Sequence, residues 1–176
     1  WAGAKPILVD MNPTTLSFSL EDLKKKITPK TKGIIWVHVT GVISSEYKKI
    51  INFAKSNNLF IIEDCAHAQG SSIDGKKAGT LGDVGVFSFF PSKIMTTGAG
   101  GMLTTNNSKL VEFTMKMRIF GRNINKPGVS LEGNDWFMDE IRACIGFYQL
   151  IDFKKKINRR REIAKKYDNT FRNHNK

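Results

Sequence analysis

LFIIEDCAHAQGSSIDGKKAGTLGDVGVFSFFPSKIMTTGAGG, residues 59–101, holds two short apolar runs separated by a turn-rich stretch. The first, LFIIED (59–64), reads as a buried strand that ends on two carboxylates. The second, DVGVFSFF (83–90), resumes strand character, and the Asp74-Gly75 pair between them suits a tight hairpin turn. Behind the second run Lys93 sits in a loop supplied with Ser92, Thr96 and Thr97 and with Gly98, Gly100 and Gly101. Such a backbone bends sharply or lies close to something bulky, and an ordinary surface lysine needs neither.

Outward from this stretch, short apolar runs alternate with amphipathic ones. PILVD (6–10) reads as a strand, and SLEDLKKKI (19–27) as a short helix with Ser19 as its cap, Asp22 three residues on, and Leu20, Leu23 and Ile27 on one face. GIIWVHV (33–39) is apolar on both faces, as a central strand is. SSEYKKIINFAKSNN (44–58) places Tyr47, Ile50, Ile51 and Ala54 at helical spacing and stops at Asn57 and Asn58. GMLTTN (101–106) predicts a strand near the lysine loop, and SKLVEFTMKMRIFG (108–121) a helix closed by Gly121. Residues 122–135 read as an exposed loop. From Met138 onward the chain predicts one long helix or two, with Gly146 the only breaker. The pattern is that of an α/β fold: a mostly parallel sheet flanked by helices.

A chain of 176 residues, 40% hydrophobic and 25% charged, has the composition of a globular protein with one core. It opens without methionine and moves almost at once into a strand-like run, so it reads as part of a longer protein. No apolar run reaches the roughly 18 residues of a membrane span. Cys65 and Cys144 are too few for a disulfide framework and lack metal-ligand spacing, which points to a reducing, cytoplasmic setting and no metal. The net charge of +12 is diluted along the chain. Its densest run, FKKKINRRREIAKKY (153–167), carries Phe153, Ile157, Ile163 and Tyr167 as one apolar stripe, so a solvated helix face is expected rather than a nucleic-acid tract.

In open α/β sheets ligands sit outside the carboxyl ends of the strands, so Asp64, His67, Ser88 and Lys93 are expected to converge if the two runs are neighbours. A primary amine, a carboxylate, an imidazole and a hydroxyl are the set that holds pyridoxal 5'-phosphate. The amine takes the aldehyde as a Schiff base, and the carboxylate keeps the ring nitrogen protonated. The hydroxyl meets the phosphate, and the imidazole lies over or beside the ring. Singly, each admits a structural reading: Asp64 as a helix cap, His67 as a core imidazole, Ser88 as a plain strand residue, Lys93 as a loop residue.

IIEDCAHAQGSSIDGKKAGTLGDVGVFSFFPSKIMTTGAGGMLTTNN resembles the core of the DegT/DnrJ/EryC1/StrS sugar-aminotransferase family. AGAKPILVDMNPTTLSF (2–18), TKGIIWVHVTG (31–41) and MDEIRACIGFYQL (138–150) resemble it in order and spacing, so the likeness covers nearly the whole chain. It implies the large domain of a fold-type I pyridoxal-phosphate enzyme, with residues 1–152 part of that domain and 153–176 a helix leading toward a small C-terminal domain. It further implies that Lys93 is the Schiff-base lysine and proton carrier, Asp64 the partner of the pyridine nitrogen, Ser88 a phosphate contact and His67, where many members have glutamine, a contact near the ring.

The implied reaction moves an amino group, usually from glutamate, to a keto group of a nucleotide-linked sugar. The resemblance also implies a homodimer with shared active sites and a role in amino-sugar synthesis, with no nucleic-acid or membrane partner. Relatives that replace the lysine by histidine are dehydratases, so Lys93 favours amino transfer. Two departures stand out. The family commonly shows Gly-x-Asn-x-Arg-Met where this chain has GNDWFM (133–138), which leaves Asn134 or Asp135 at the asparagine's place, and Ala99 stands where a glutamate is common. The rival readings are a noncatalytic regulatory or nucleic-acid-binding protein that keeps the fold, and a pyridoxal-phosphate-dependent sugar dehydratase.

Overall fold

The computed structural model describes residues 2–123 and 127–172; residues 124–126 of the predicted loop and 173–176 at the end lie outside the described residues. The chain divides into two compact units, Trp1–Ser88 with Gly101–Phe137, and Phe89–Gly100 with Met138–Lys176.

The first unit opens with a small antiparallel pair, β1 (Met11–Asn12) and β2 (Ser17–Phe18), followed by helix α1 (Leu20–Lys26). The expected strand at 6–10 does not form. Its backbone groups are taken by α1 instead: Asp22 Oδ2 accepts from the Asp10 N–H at 2.7 Å, and Lys26 Nζ donates to the Leu8 carbonyl at 2.9 Å. Ile7 and Leu8 stay exposed. Helix α1 is capped as expected, with Ser19 Oγ accepting from the Asp22 N–H at 3.2 Å.

Strand β3 (Gly33–Val37), helix α2 (Tyr47–Ser56) and strand β4 (Phe60–Asp64) follow, then a hairpin of β5 (Ser72–Ile73) and β6 (Lys76–Lys77). Asp74 and Gly75, both with positive φ, make its turn. Strands β7 (Val84–Ser88) and β8 (Gly101–Thr104) complete a four-stranded sheet in the order β3-β4-β7-β8. Pairs β3–β4 and β4–β7 are parallel and β7–β8 is antiparallel, so the sheet is mostly parallel.

One face of the sheet builds the core. Ile34, Trp36 and Ile61 from the strands meet Leu20 and Leu23 of α1 and Tyr47, Ile50 and Ala54 of α2. The pleat sends every second residue to the other face, where Ile35, Phe60 and Val86 are exposed. Trp36 is fully buried, and its indole N–H finds Ser17 Oγ at 3.0 Å.

Helix α3 (Ser108–Met117) ends before Gly121, short of the expected boundary. Gly121 answers a different need. Its φ is +72°, and a Cβ there would lie 1.7 Å from the Leu131 carbonyl oxygen, so a passing backbone rather than the helix end demands glycine.

In the second unit the long helical stretch is two helices, α4 (Glu140–Ile151) and α5 (Phe153–Phe171). Gly146 passes inside α4, and the break falls at Asp152. Asp139 caps α4, accepting from the Arg142 N–H at 2.9 Å. On α5 the expected stripe is half-buried at Phe153 and Ile157, whereas Ile163 and Tyr167 are exposed.

Candidate functional site

Strands β4 and β7 lie side by side and parallel, with Asp64 opposite Val86. Both carboxyl ends therefore open on one edge of the first unit. By the same pleat Asp64 and Ser88 project from one face, the face away from the core. Asp64 is half-buried, and its Oδ1 accepts from the Ala66 N–H at 3.0 Å, a local bond that orients the carboxylate.

After β4 the chain makes two tight turns, with Ala68 N–H to Cys65 O at 2.9 Å and Ser71 N–H to Ala68 O at 3.0 Å. His67 is exposed between them. Gly41, just beyond β3, lets this turn approach: a Cβ there would lie 2.8 Å from the His67 carbonyl oxygen. Ser88, half-buried, pairs with Gly101 on β8, and the buried Gln69 donates from its side-chain amide to the Ser88 carbonyl. The first unit thus brings Asp64, His67 and Ser88 to one end of its sheet.

Directly beneath Asp64 in sequence, and on the opposite face, Glu63 is fully buried. Its Oε2 accepts from His38 Nε2 and from the Gly79 N–H, both at 2.9 Å, and its Oε1 from the Leu81 and Gly82 N–H groups, both at 2.7 Å. Burial pushes this carboxyl up. The His38 bond and the three backbone donors outweigh burial and hold it below the usual carboxylate range. The network ties β4 to the end of β3 and to the loop that leads into β7. Neighbouring Cys65 is also buried, and burial together with the Glu63 and Asp64 charges pushes its thiol up to about 12.

Ligand atoms of His38, Glu63 and Cys65 lie within 4.8 Å of one another. In this structure each oxygen of Glu63 is engaged by two N–H donors, and Glu63 acts as a structural pin between β4, the end of β3 and the 79–82 loop.

Lys93 belongs to the second unit and is half-buried. Its own N–H donates to the Phe90 carbonyl at 3.0 Å. The segment folds back on itself around buried Phe89: Phe89 N–H bonds Gly100 O at 2.9 Å, Thr97 N–H bonds Phe89 O at 3.0 Å, and Thr96 Oγ1 donates to Phe89 O at 2.9 Å. Thr97 Oγ1 donates to the Ala99 carbonyl at 2.6 Å. Gly98 and Gly100 have φ of +79° and +137°, which explains the glycines expected there.

The residues 133–138 that depart from the family pattern are also placed. Asn134 binds α3 through its backbone, N–H to Met117 O at 2.8 Å, and its Oδ1 accepts from the Asp135 N–H at 2.8 Å. Asp135 is exposed, and Phe137 stacks under the Arg118 guanidinium at 5.3 Å.

Sequence reading missed Glu63, His38 and Gln149. For Glu63 a signal existed: it shares strand parity with Ile61 and Cys65, and a carboxylate on the buried face must find donors. His38 and the glycine-rich 79–82 stretch supply them.

The chain is similar to GDP-perosamine synthase of Escherichia coli O157:H7, 42% identical over 168 residues, which cover 95% of this chain and 46% of that protein. Helicobacter pylori PseC, described as an aminotransferase involved in the biosynthesis of pseudoaminic acid, superposes with a TM-score of 0.88 at 30% identity, over 96% of this chain and 46% of that one. A GDP-4-keto-6-deoxymannose-3-dehydratase with bound GDP-perosamine superposes with a TM-score of 0.85 at 26% identity, over 93% and 47%. The chain spans about half the length of the relatives it matches. The DegT/DnrJ/EryC1/StrS aminotransferase family model matches residues 1–176, and the chain belongs to that family.

Proposed function

We propose that the full-length protein containing this chain is a pyridoxal-phosphate-dependent sugar aminotransferase that passes an amino group, from glutamate, to a keto group of a nucleotide-linked sugar. The observation that carries the reading is the placement of Asp64 and Ser88 at the ends of adjacent parallel strands, on one face, with His67 on the loop after the first strand. Membership in the aminotransferase family supports it. The reading includes a cytoplasmic homodimer with shared sites.

The donor set fits the cofactor. Asp64 would hold a proton on the pyridine nitrogen, its carboxylate oriented by the Ala66 N–H. Ser88 would meet the phosphate, His67 the ring and its phenolic oxygen, and Lys93 the aldehyde. The bound group supplies an electron sink for the carbon that gains or loses nitrogen. Lys93 Nζ would carry the proton to and from that carbon, a task that requires a lysine held in place but free at its tip.

The test is the visible spectrum of the full-length protein with added pyridoxal phosphate, beside a Lys93→Ala variant. The expected result is a band at about 400–430 nm that requires Lys93 and is bleached by glutamate. A wild-type protein without that band would overturn the reading. The likeness to a sugar dehydratase favours one second reading, loss of a sugar hydroxyl on the same cofactor. Mass spectrometry of the sugar product separates the two, since amino transfer adds nitrogen and dehydration does not.

A further inference from the structure

We infer that Gln149 is the positioning residue for Lys93. The residues involved all lie within the second unit. Gln149, on α4, takes both backbone groups of Thr96: its Oε1 accepts from the Thr96 N–H at 3.2 Å, and its Nε2 donates to the Thr96 carbonyl at 2.8 Å. A side-chain amide that takes both the N–H and the C=O of one residue holds the two peptide units that flank it, as a strand neighbour does.

Thr96 is the point where such a clamp governs the lysine. Its hydroxyl donates to Phe89 O and accepts from the Gly98 N–H at 2.9 Å, and the next residue, Thr97, returns its N–H to the same Phe89 carbonyl. The arc 90–95 that carries Lys93 is therefore closed at its base by Phe89 and Thr96. The bonds just named among Phe89, Thr96, Thr97 and Gly98 are internal to the loop and would move with it. The Gln149 pair anchors it to a helix.

The helix is shaped for this seat. Gly146, one turn before Gln149, faces the loop: a Cβ there would lie 2.9 Å from Thr97 Cγ2. Thr97 is buried and its hydroxyl is engaged by Ala99 O, so it has little room to turn aside. Met138, just before α4, approaches Gly100 so closely that a Cβ on that glycine would lie 2.7 Å from Met138 Cε. Contact at Thr97 and at Gly100 leaves the clamp at Thr96 as the polar member of a three-point seat.

The functional meaning given to Lys93 rests on the proposed reaction, but the positioning itself has a test that needs no cofactor. In the full-length, cofactor-free protein, peptide hydrogen exchange over 89–100 and acylation of Lys93 read by mass spectrometry are compared between wild type and Gln149→Met, with Lys55 as an internal reference. The expected result is exchange at Thr96 to Gly98 faster by about tenfold and a changed Lys93 acylation rate, with Lys55 unchanged.

Gln149→Glu, which keeps an acceptor for the Thr96 N–H and loses the donor to its carbonyl, should fall between the two, and it serves alone if the methionine variant does not fold. Wild-type exchange and acylation in the folded variants would overturn the inference. With pyridoxal phosphate added, the variants should shift the pH midpoint of the Lys93-dependent band. Absence of that band in wild type would sink the proposed reaction while leaving the exchange result to decide the clamp.

Discussion

His38 Nε2 lies 2.9 Å from Glu63 Oε2, and both side chains are fully excluded from solvent. The pair joins the ends of two parallel strands, and through the remaining lone pairs of Glu63 it also holds the loop 79–82. A carboxylate with four donors in a dry core is held by all of them together, so loss of its charge is felt in three segments of chain at once.

Glu63→Gln should therefore destabilise the fold by about 3 kcal/mol, because an amide turns N–H toward N–H on one side of the site. Chemical denaturation at neutral pH measures this. The folded carboxyl sits below its unfolded value of about 4.3, so its contribution is complete above that pH and disappears as pH falls through the lower folded value. The difference in stability between wild type and the Glu63→Gln protein should shrink as the pH falls from about 4.3 through the lower folded value. A difference that stayed constant with pH would show that the carboxylate charge contributes nothing.

Gly85→Ala should cost about 3 kcal/mol, at the upper end for overpacking. A Cβ on Gly85 would fall 2.4 Å from Gly79 Cα and 2.6 Å from Thr104 Oγ1. Relief requires Gly79 to retreat, and Gly79 is a donor to Glu63. The two variants should thus be non-additive in a double-mutant cycle, and simple additivity would disprove the coupling.

Cys65 should resist thiol reagents in the folded protein. With its thiol pushed up to about 12 and its side chain buried, alkylation at pH 8 should run at least about a thousandfold slower than for the unfolded chain. Peptide mass spectrometry after timed iodoacetamide exposure, with and without guanidinium, gives both rates.

Lys93→Arg should lose the cofactor band as completely as Lys93→Ala, and transamination should drop by about 10²- to 10⁴-fold or more. Guanidinium preserves the positive charge but offers no free amine near neutral pH. A band retained in the arginine variant would mean that charge, not covalency, is what Lys93 brings.

Ser19→Ala tests the first unit at a distance from the site. It removes the acceptor for the Asp22 N–H and should cost about 1 kcal/mol in thermal or chemical unfolding, without altering any spectrum at 400–430 nm, about the region of the cofactor band.

Much of this architecture was legible because it is local. Tyr47, Ile50 and Ala54 announce α2 by their spacing, and the same residues are buried against the sheet. The strand ends at Asp64 and Ser88 follow from apolar runs and from the rule for open sheets. What was hidden depends on partners distant in sequence. Residues 6–10 have the composition of a strand, yet the carboxylate of Asp22 and the amine of Lys26 claim their backbone groups. Gly121 looks like a helix terminator, but the carbonyl of Leu131 sets its identity. Gln149 carries no mark in its own helix, since the peptide it binds at Thr96 lies 53 residues away. Asp152, not Gly146, divides the last helices, because the absence of a side chain at 146 serves Thr97 rather than flexibility.

The doublet Glu63-Asp64 gives β4 a keyed register. Adjacent residues of a strand point to opposite faces, so one acid enters the dry side and the other faces outward. A slip by a single residue would exchange them. Aspartate, one methylene shorter, would then meet a slot dimensioned for glutamate, and the N–H groups of Gly79, Leu81 and Gly82 would lose their acceptor. The mispaired sheet is penalised at the same stroke that removes the carboxylate from the proposed site. The slipped register is therefore disfavoured twice over, by buried N–H groups without an acceptor and by an acid displaced from its slot.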